Sequence, residues 1–249
     1  MTCRGSSAAR FANDGGRAFA APQSPSALLA STPTLLRGQP VYTYVVTSIA
    51  TTADYQLIQK GSAPNFAGGR ITLCTCKHKD RATFHPSTDQ HHPWKNVWVA
   101  GLTSKTENPP RSLAYLMFVT RSFLSHREIW RALPDDCRQA KSASHSTIGD
   151  LFKPKACATI DPYDPANYFS PVPGHVHSDR RHPNQWHQDV MCWGKRSRPH
   201  HLLLGQAAQS YQWTNVKIIL KLNGMGISAH HRKYDSLKDF IANLQEFDP

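Results

Sequence analysis

Leu113-Ala114-Tyr115-Leu116-Met117-Phe118-Val119-Thr120 is the stretch on which the fold of this 249-residue chain turns. Every residue but the last is apolar, so a strand built from it cannot leave either face in water. It predicts a central strand covered on both sides. Upstream, Val41-Tyr42-Thr43-Tyr44-Val45-Val46-Thr47 is β-branched and aromatic and reads as a buried first strand. Arg70-Ile71-Thr72-Leu73-Cys74-Thr75-Cys76 alternates and reads as the second, and Asn96-Val97-Trp98-Val99-Ala100-Gly101 as a short third. Downstream, Ser125-His126-Arg127-Glu128 has the form of a capping box, with Ile129, Trp130 and Leu133 behind it and Pro134 closing a short helix. Near the end, Leu237, Phe240, Ile241 and Leu244 follow the N-cap Ser236 at helical spacing and predict a C-terminal amphipathic helix. The expected fold is α+β: one domain, residues 40–249, with a mixed, mostly antiparallel sheet and a few short helices.

Between these elements the signal weakens. Residues 1–39 are rich in Ala, Ser, Gly and Pro, with Arg4, Arg10, Arg17 and Arg37 against one acid, Asp14. Too little apolar surface is on offer to offset the entropy of ordering, so a disordered extension is expected. The composition also suits an organellar transit peptide or a start placed too far upstream, and these readings stay open. The Gly- and Pro-bearing residues 61–69 read as an irregular loop. Residues 134–187 are polar, rich in Pro and His, and read as one long irregular loop, with Val190-Met191-Cys192-Trp193 as a brief strand. Residues 216–222 fit a strand by alternation and a helix by the placing of Lys217 and Lys221.

Lysine and arginine outnumber acids 29 to 17, a formal charge of +12. That excess favours a polyanion, and nucleic acid is the expected partner. Six cysteines are too sparse for a disulfide framework, and no apolar run reaches the roughly 20 residues of a membrane helix. With no secretory signal visible either, a cytoplasmic protein with no membrane partner is expected. The oligomeric state is not legible.

Cys74-Thr75-Cys76-Lys77-His78 invites a metal reading, but paired zinc cysteines usually stand two or more residues apart, and no second pair of matching spacing exists. Buried free thiols are the plainer reading. His175, His177, His182, His187, His200 and His201, with Asp179 and Asp189, are common ligand types, yet they also arise in any histidine-rich loop. No Walker loop, His-Glu-x-x-His helix or Gly-x-Ser-x-Gly elbow is present, and no metal or cofactor is expected. The cations cluster more tellingly: Lys60, Arg70, Lys77, Lys79 and Arg81 in one group, Arg180, Arg181, Lys195, Arg196 and Arg198 in a second, His230, His231, Arg232 and Lys233 in a third. Phe66, Trp94, Trp98, Trp186 and Trp193 lie among them, as stacking platforms or as core.

The run Ala63-Pro64-Asn65-Phe66, then Thr72-Leu73-Cys74-Thr75-Cys76-Lys77, resembles the nucleotide modification associated domains of bacteria and phages. Tyr42-Thr43-Tyr44-Val45-Val46 is similar to that family's opening strand. Val97-Trp98-Val99-Ala100-Gly101, with Lys105 just beyond it, is similar to its third, and Cys192-Trp193-Gly194 and Gly224-Met225-Gly226 to its closing elements. Phe66 directly after Asn65, His78 after Lys77, and residues 83–93 as an insertion mark a divergent member. The resemblance implies dealings with nucleotides or nucleic acid linked to DNA modification, and the strand-rich layout resembles PUA-like domains, which hold a modified or flipped base.

Three readings follow. In a binding module, the 63–69 loop with Asn65 would approach the backbone, Lys77, Arg81 and Lys105 would hold phosphates, and Phe66 or Trp98 would stack a base. In an enzyme, Cys74 or Cys76 would be the nucleophile beside Lys77, His78 and Lys79, or the histidine loop would hold a metal. In a structural, partner-binding protein the positive charge would be incidental. Whether the chain is an enzyme is left open by the sequence.

Overall fold

A computed structural model describes residues 21–61, 63–84, 87, 89, 91–104, 110–144, 150–155, 161–170, 186–191, 200–221 and 232–248. The fold is α+β. A six-stranded mixed sheet is built from β1 (Val41–Val45), β4 (Thr72–Leu73), β5 (Val97–Leu102), β6 (Leu113–Phe123), β7 (Leu202–Gln212) and β9 (Arg232–Tyr234), in the order β4-β7-β6-β5-β1-β9. β1 and β5 run parallel; the other neighbours are antiparallel. Two small pairs complete the strands: β2 (Ile49–Thr51) with β3 (Leu57–Gln59), and β8 (Ile218–Leu220) with β10 (Leu244–Glu246).

The apolar run at 113–120 lies inside β6, between β5 and β7, and is buried from Leu113 to Val119. Cross-strand register sorts the two faces, because partners in register share a side. Val41, Trp98 and Phe118 align on one face; Tyr44, Gly101 and Tyr115 align on the other. Gly101 is needed there: a Cβ would overlap the Tyr115 ring, which crosses its backbone to place its hydroxyl 2.5 Å from that of Tyr44.

The Trp98 face is closed by three helices, α1 (Pro25–Ser31), α2 (Thr34–Arg37) and α7 (Leu237–Ala242). Trp98 donates its indole N–H to the Leu36 carbonyl at 2.9 Å, and Phe240 sits edge-on to Tyr234 at 5.1 Å. The expectation of disorder through residue 39 is therefore corrected over the described part. Ser24 caps α1, Leu28 is fully buried in the main core, and Trp213 donates to the Pro22 carbonyl at 2.8 Å. A few leucines, too few to show a period, are enough once a sheet face receives them.

The remaining helices are α3 (His78–Thr83), α4 (His126–Ala132), α5 (Asp135–Ser144) and α6 (Trp186–Met191). α4 is the capping-box helix; the Glu128 N–H donates to the Ser125 hydroxyl at 3.2 Å. α5 corrects the start of the long irregular loop expected over residues 134–187, and α6 begins at its end. The strand expected at 190–193 is likewise corrected, since Val190 and Met191 end α6; Cys192 and Trp193 lie outside the described residues. The 216–222 ambiguity resolves to strand β8. The C-terminal helix stops at Ala242, so Leu244 packs from β10 and not from a further helical turn.

A second core gathers Cys74, Phe123, Ile129, Leu133, Cys137, Leu151, Leu202 and Leu204 where α4 and α5 meet the end of the sheet. A third holds Phe152, Tyr168, Trp186 and Val190 beneath α6. Among the described residues no helix is long and apolar enough to cross a membrane.

Candidate functional site

The expected second strand, residues 70–76, forms a ladder only at Thr72 and Leu73. Beyond Leu73 the chain turns, and buried charged groups replace the ladder. The Asp150 carboxylate, fully buried, accepts from the Cys74 N–H at 2.8 Å, the Thr75 N–H at 3.1 Å and the Thr72 hydroxyl at 2.8 Å. Burial pushes the Asp150 carboxyl above its ordinary value, while those donors and Lys141 pull it back. From the other side the Arg81 guanidinium donates to the carbonyls of Cys76 (2.9 Å), Cys74 and His201. The turn is thus gripped through both its N–H and its C=O groups, as buried backbone requires.

Lys141 does the same for the preceding loop. Fully buried, its ammonium donates to the Asn65 carbonyl (3.2 Å), the Asn65 side-chain oxygen (3.1 Å) and the Arg70 carbonyl (2.9 Å). Burial draws its pKa down. α5 also lies on Gly68, whose φ of +72° suits glycine and whose Cβ would come within 2.7 Å of the Cys137 backbone.

This anchoring delivers Lys77. Its backbone is left-handed, φ 61°, which costs a non-glycine residue roughly 1 kcal/mol. From there the side chain swings over the Tyr44 ring, 5.6 Å from its centroid, and stands 4.0 Å from Asp80. Lys77 and Asp80 are about a quarter exposed, 27% and 21%, and form the rim of a cleft on the Tyr44 face of the sheet. Its walls are Tyr42, Tyr44, Leu73, Phe84, Trp94, Val99 and Leu203. Tyr42, half-buried, meets Trp94 edge-on at 5.2 Å and Phe84 at 6.3 Å. Lys233, opposite Tyr42 in the β1–β9 ladder and therefore on the same face, adds a second exposed ammonium.

The structure separates the expected binding residues. Lys77 stands at the cleft. Arg81 lines it but is 1% exposed and committed to three carbonyls, so the expected phosphate contact is corrected to a structural anchor. Trp98 is fully buried on the opposite face, which leaves its ring no surface for a base. Phe66 is buried edge-on against Tyr115 at 5.8 Å, and Asn65 is consumed within its own loop and by Lys141. Lys105 lies outside the described residues, as do His175, His177 and His182, Arg180 and Arg181, residues 192–199, Gly224-Met225-Gly226, and His230 and His231. Sequence reasoning missed Tyr42, Phe84 and Asp80 as cleft residues. The alternation of Tyr42 and Tyr44 along β1, which puts both on one face, was the signal that could have found Tyr42.

The expected nucleophiles are poorly placed. Cys74 is fully buried, with its N–H on the Asp150 carboxylate, and its thiol has no access to a substrate from solvent. Cys76 is half-buried against the main core.

A histidine cluster lies behind α3. His78 Nε2 is 2.9 Å from the buried Asp189 carboxylate of α6, and its ring stacks on His200 at 4.2 Å. His126 accepts the Phe152 N–H at Nδ1 (3.2 Å), so its Nε2–H is the donor toward the Asp189 carbonyl, also 3.2 Å away. Burial pushes His126 down to about 3, and it also lowers His200, with Arg81 adding to the effect. Among the described residues no group of three or more His, Cys, Asp or Glu side chains is arranged to hold a metal ion. The cluster works as a clasp that docks α6, a use of Asp189 and His200 that their sequence spacing did not suggest.

Comparison with protein-family models, with curated proteins and with solved structures finds no match to the chain.

Proposed function

We propose that the chain binds nucleic acid through the cleft on the Tyr42–Tyr44 face, in keeping with its resemblance to nucleotide modification associated domains. The observation that carries this reading is the pairing of half-buried aromatic rings, Tyr42 and Phe84, with the ammonium of Lys77 at one cleft mouth, on a chain of charge +12. An unpaired base offers a face to such rings while its phosphates meet Lys77 and Lys233. Aromatic stacking is worth about 1–3 kcal/mol per base, and each phosphate contact adds to the salt dependence.

The test is a fluorescence titration of the full chain with single-stranded and duplex DNA and RNA at several salt concentrations. Single strands bind more tightly than duplex, and affinity falls steeply as salt rises. Tyr42→Ala lowers affinity roughly 5- to 100-fold. Lys77→Ala lowers the salt slope by about 1. Absence of binding to any of these polymers at low salt overturns the reading.

A further inference from the structure

Two buried imidazoles of the clasp behind α3 can do their work only while neutral. His126 is fastened on both sides: Nδ1 accepts the Phe152 N–H, and Nε2–H points to the Asp189 carbonyl of α6, each at 3.2 Å. Its ring also lies 4.7 Å from that of Phe152 and 6.1 Å from that of Tyr168. An imidazolium there would set N–H against N–H at Phe152. His200 is as strict. It is fully buried and stacked on His78 at 4.2 Å, and neither ring nitrogen has a hydrogen-bond partner among the described residues. A proton added to it meets no acceptor. The surroundings oppose that proton as well. His78 and the Arg81 guanidinium face the two rings from α3, and the carboxylate facing them is that of Asp189, from α6. The neighbouring His201 lends its carbonyl to Arg81, and His187 of α6 lies with its ring on Trp186 at 4.5 Å. With His78, His126 and His200 all protonated, four cations would crowd one carboxylate.

We propose that the clasp is an acid-operated latch: protonation of His126 and His200 releases α6 and uncovers Phe152 and Tyr168 while the sheet stays folded. The release is local because Phe152, Tyr168, Trp186 and Val190 form a core of their own, separate from the two cores of the sheet. α6 leaves without opening either. Docked, burial holds both rings neutral, His126 down to about 3; in water each takes its proton near the ordinary value of 6.5. The docked state is therefore favoured fully above pH 6.5. Below it the released fraction rises about 10-fold per pH unit for each ring, and about 100-fold for the two together.

The experiment is amide hydrogen exchange of the full chain, read by mass spectrometry from pH 7.5 to 4.5 and corrected for the intrinsic pH dependence of exchange. Peptides over residues 150–155 and 186–191 lose protection by about 100-fold per pH unit below 6.5. Peptides over β5 and β6 stay protected through the range in which those two are lost. His126→Asn keeps an acceptor for the Phe152 N–H but does not titrate, and His200→Phe keeps a stacked ring without a basic nitrogen. Each lowers the slope to about 10-fold per unit, and the two together flatten it. Protection of β5 and β6 at pH 7.5 shows that a variant is folded, and where one is not, the wild-type comparison decides alone. A flat profile at 150–155 and 186–191 overturns the proposal. Loss of β5 and β6 in step with α6 overturns it too, because acid then unfolds the whole molecule. So does a slope that both variants leave unchanged, since another group then takes the proton.

Discussion

On one side of the central sheet Trp98 packs on Phe118 at 5.0 Å beneath three helices; on the other, the largely irregular chain from Asn65 to Cys76 is pinned by Asp150, Arg81 and Lys141. The first side is sealed by apolar area, which is non-directional and tolerates many arrangements. The second is held by charged groups bonded to specific backbone atoms, which fix a turn that propensity alone would not form. The polar side is also the one that keeps a cleft. An irregular segment held at a few points leaves room between its side chains and the sheet, where a helix packed by its apolar stripe does not.

This contrast can be broken from either side. The largest effect is expected for Arg81→Met, which keeps volume but leaves three carbonyls without their donor. Urea unfolding should show a loss of about 3 kcal/mol or more, since each buried acceptor left unpaired costs about 1–3 kcal/mol. A loss under 1 kcal/mol would mean that the turn is not held by its charges.

Acid should act next, and through the clasp at α6. The folded pKa of His126, about 3, and that of His200 lie below the ordinary value of 6.5, so the unfolded chain takes up protons first as pH falls. Their stabilisation is complete above pH 6.5 and is lost as pH drops toward 3. Each contributes a slope of about 1.4 kcal/mol per pH unit in that window. Unfolding midpoints measured from pH 7.5 to 4.5 check this; a flat profile would place both imidazoles in contact with water.

On the apolar side, Trp98→Phe removes the indole bond to the Leu36 carbonyl and leaves a small cavity in place of the fully buried second ring. It should cost about 2 kcal/mol and leave ligand affinity unaltered, as suits a residue facing away from the cleft. The smallest stability effect is expected at Lys77→Ala, below about 0.5 kcal/mol, because the lysine is partly solvated and its partner Asp80 lies 4.0 Å away. Its reading is in the salt slope of binding. A large stability loss at Lys77 would make it one more anchor and remove the cleft's distinguishing cation.

The same contrast explains what the sequence disclosed. β6 and α4 were legible because their burial is apolar and periodic, and the Ser125 cap is local. β7 went unread: Gln206, Ala207 and Ala208 are exposed in its middle, and the ladder to β6, not its own pattern, makes it a strand. α5 was hidden because its buried positions, four apart, are Cys137 and Lys141, and a lysine does not register as core. Lys77 stands at the cleft with its ammonium partly in solvent, while Arg81 beside it is buried against carbonyls. Charge tells what a side chain carries, and burial decides whether it meets a phosphate or a carbonyl. The cleft itself joins β1 to residues 73–84, Trp94, Val99 and Leu203, a juxtaposition that no local window contains.

α1 packs on α7, so the first described helix and the last meet across the Trp98 face. During synthesis at roughly 5–20 residues per second, Leu28 emerges some 10–40 s before Leu237 and Phe240 can join it. Once β1, β5 and β6 have followed Leu28 out, their Trp98 side still lacks α7, one of its three covering helices. The order of synthesis thus leaves this side of the sheet to be closed last, by the chain's own C-terminal helix.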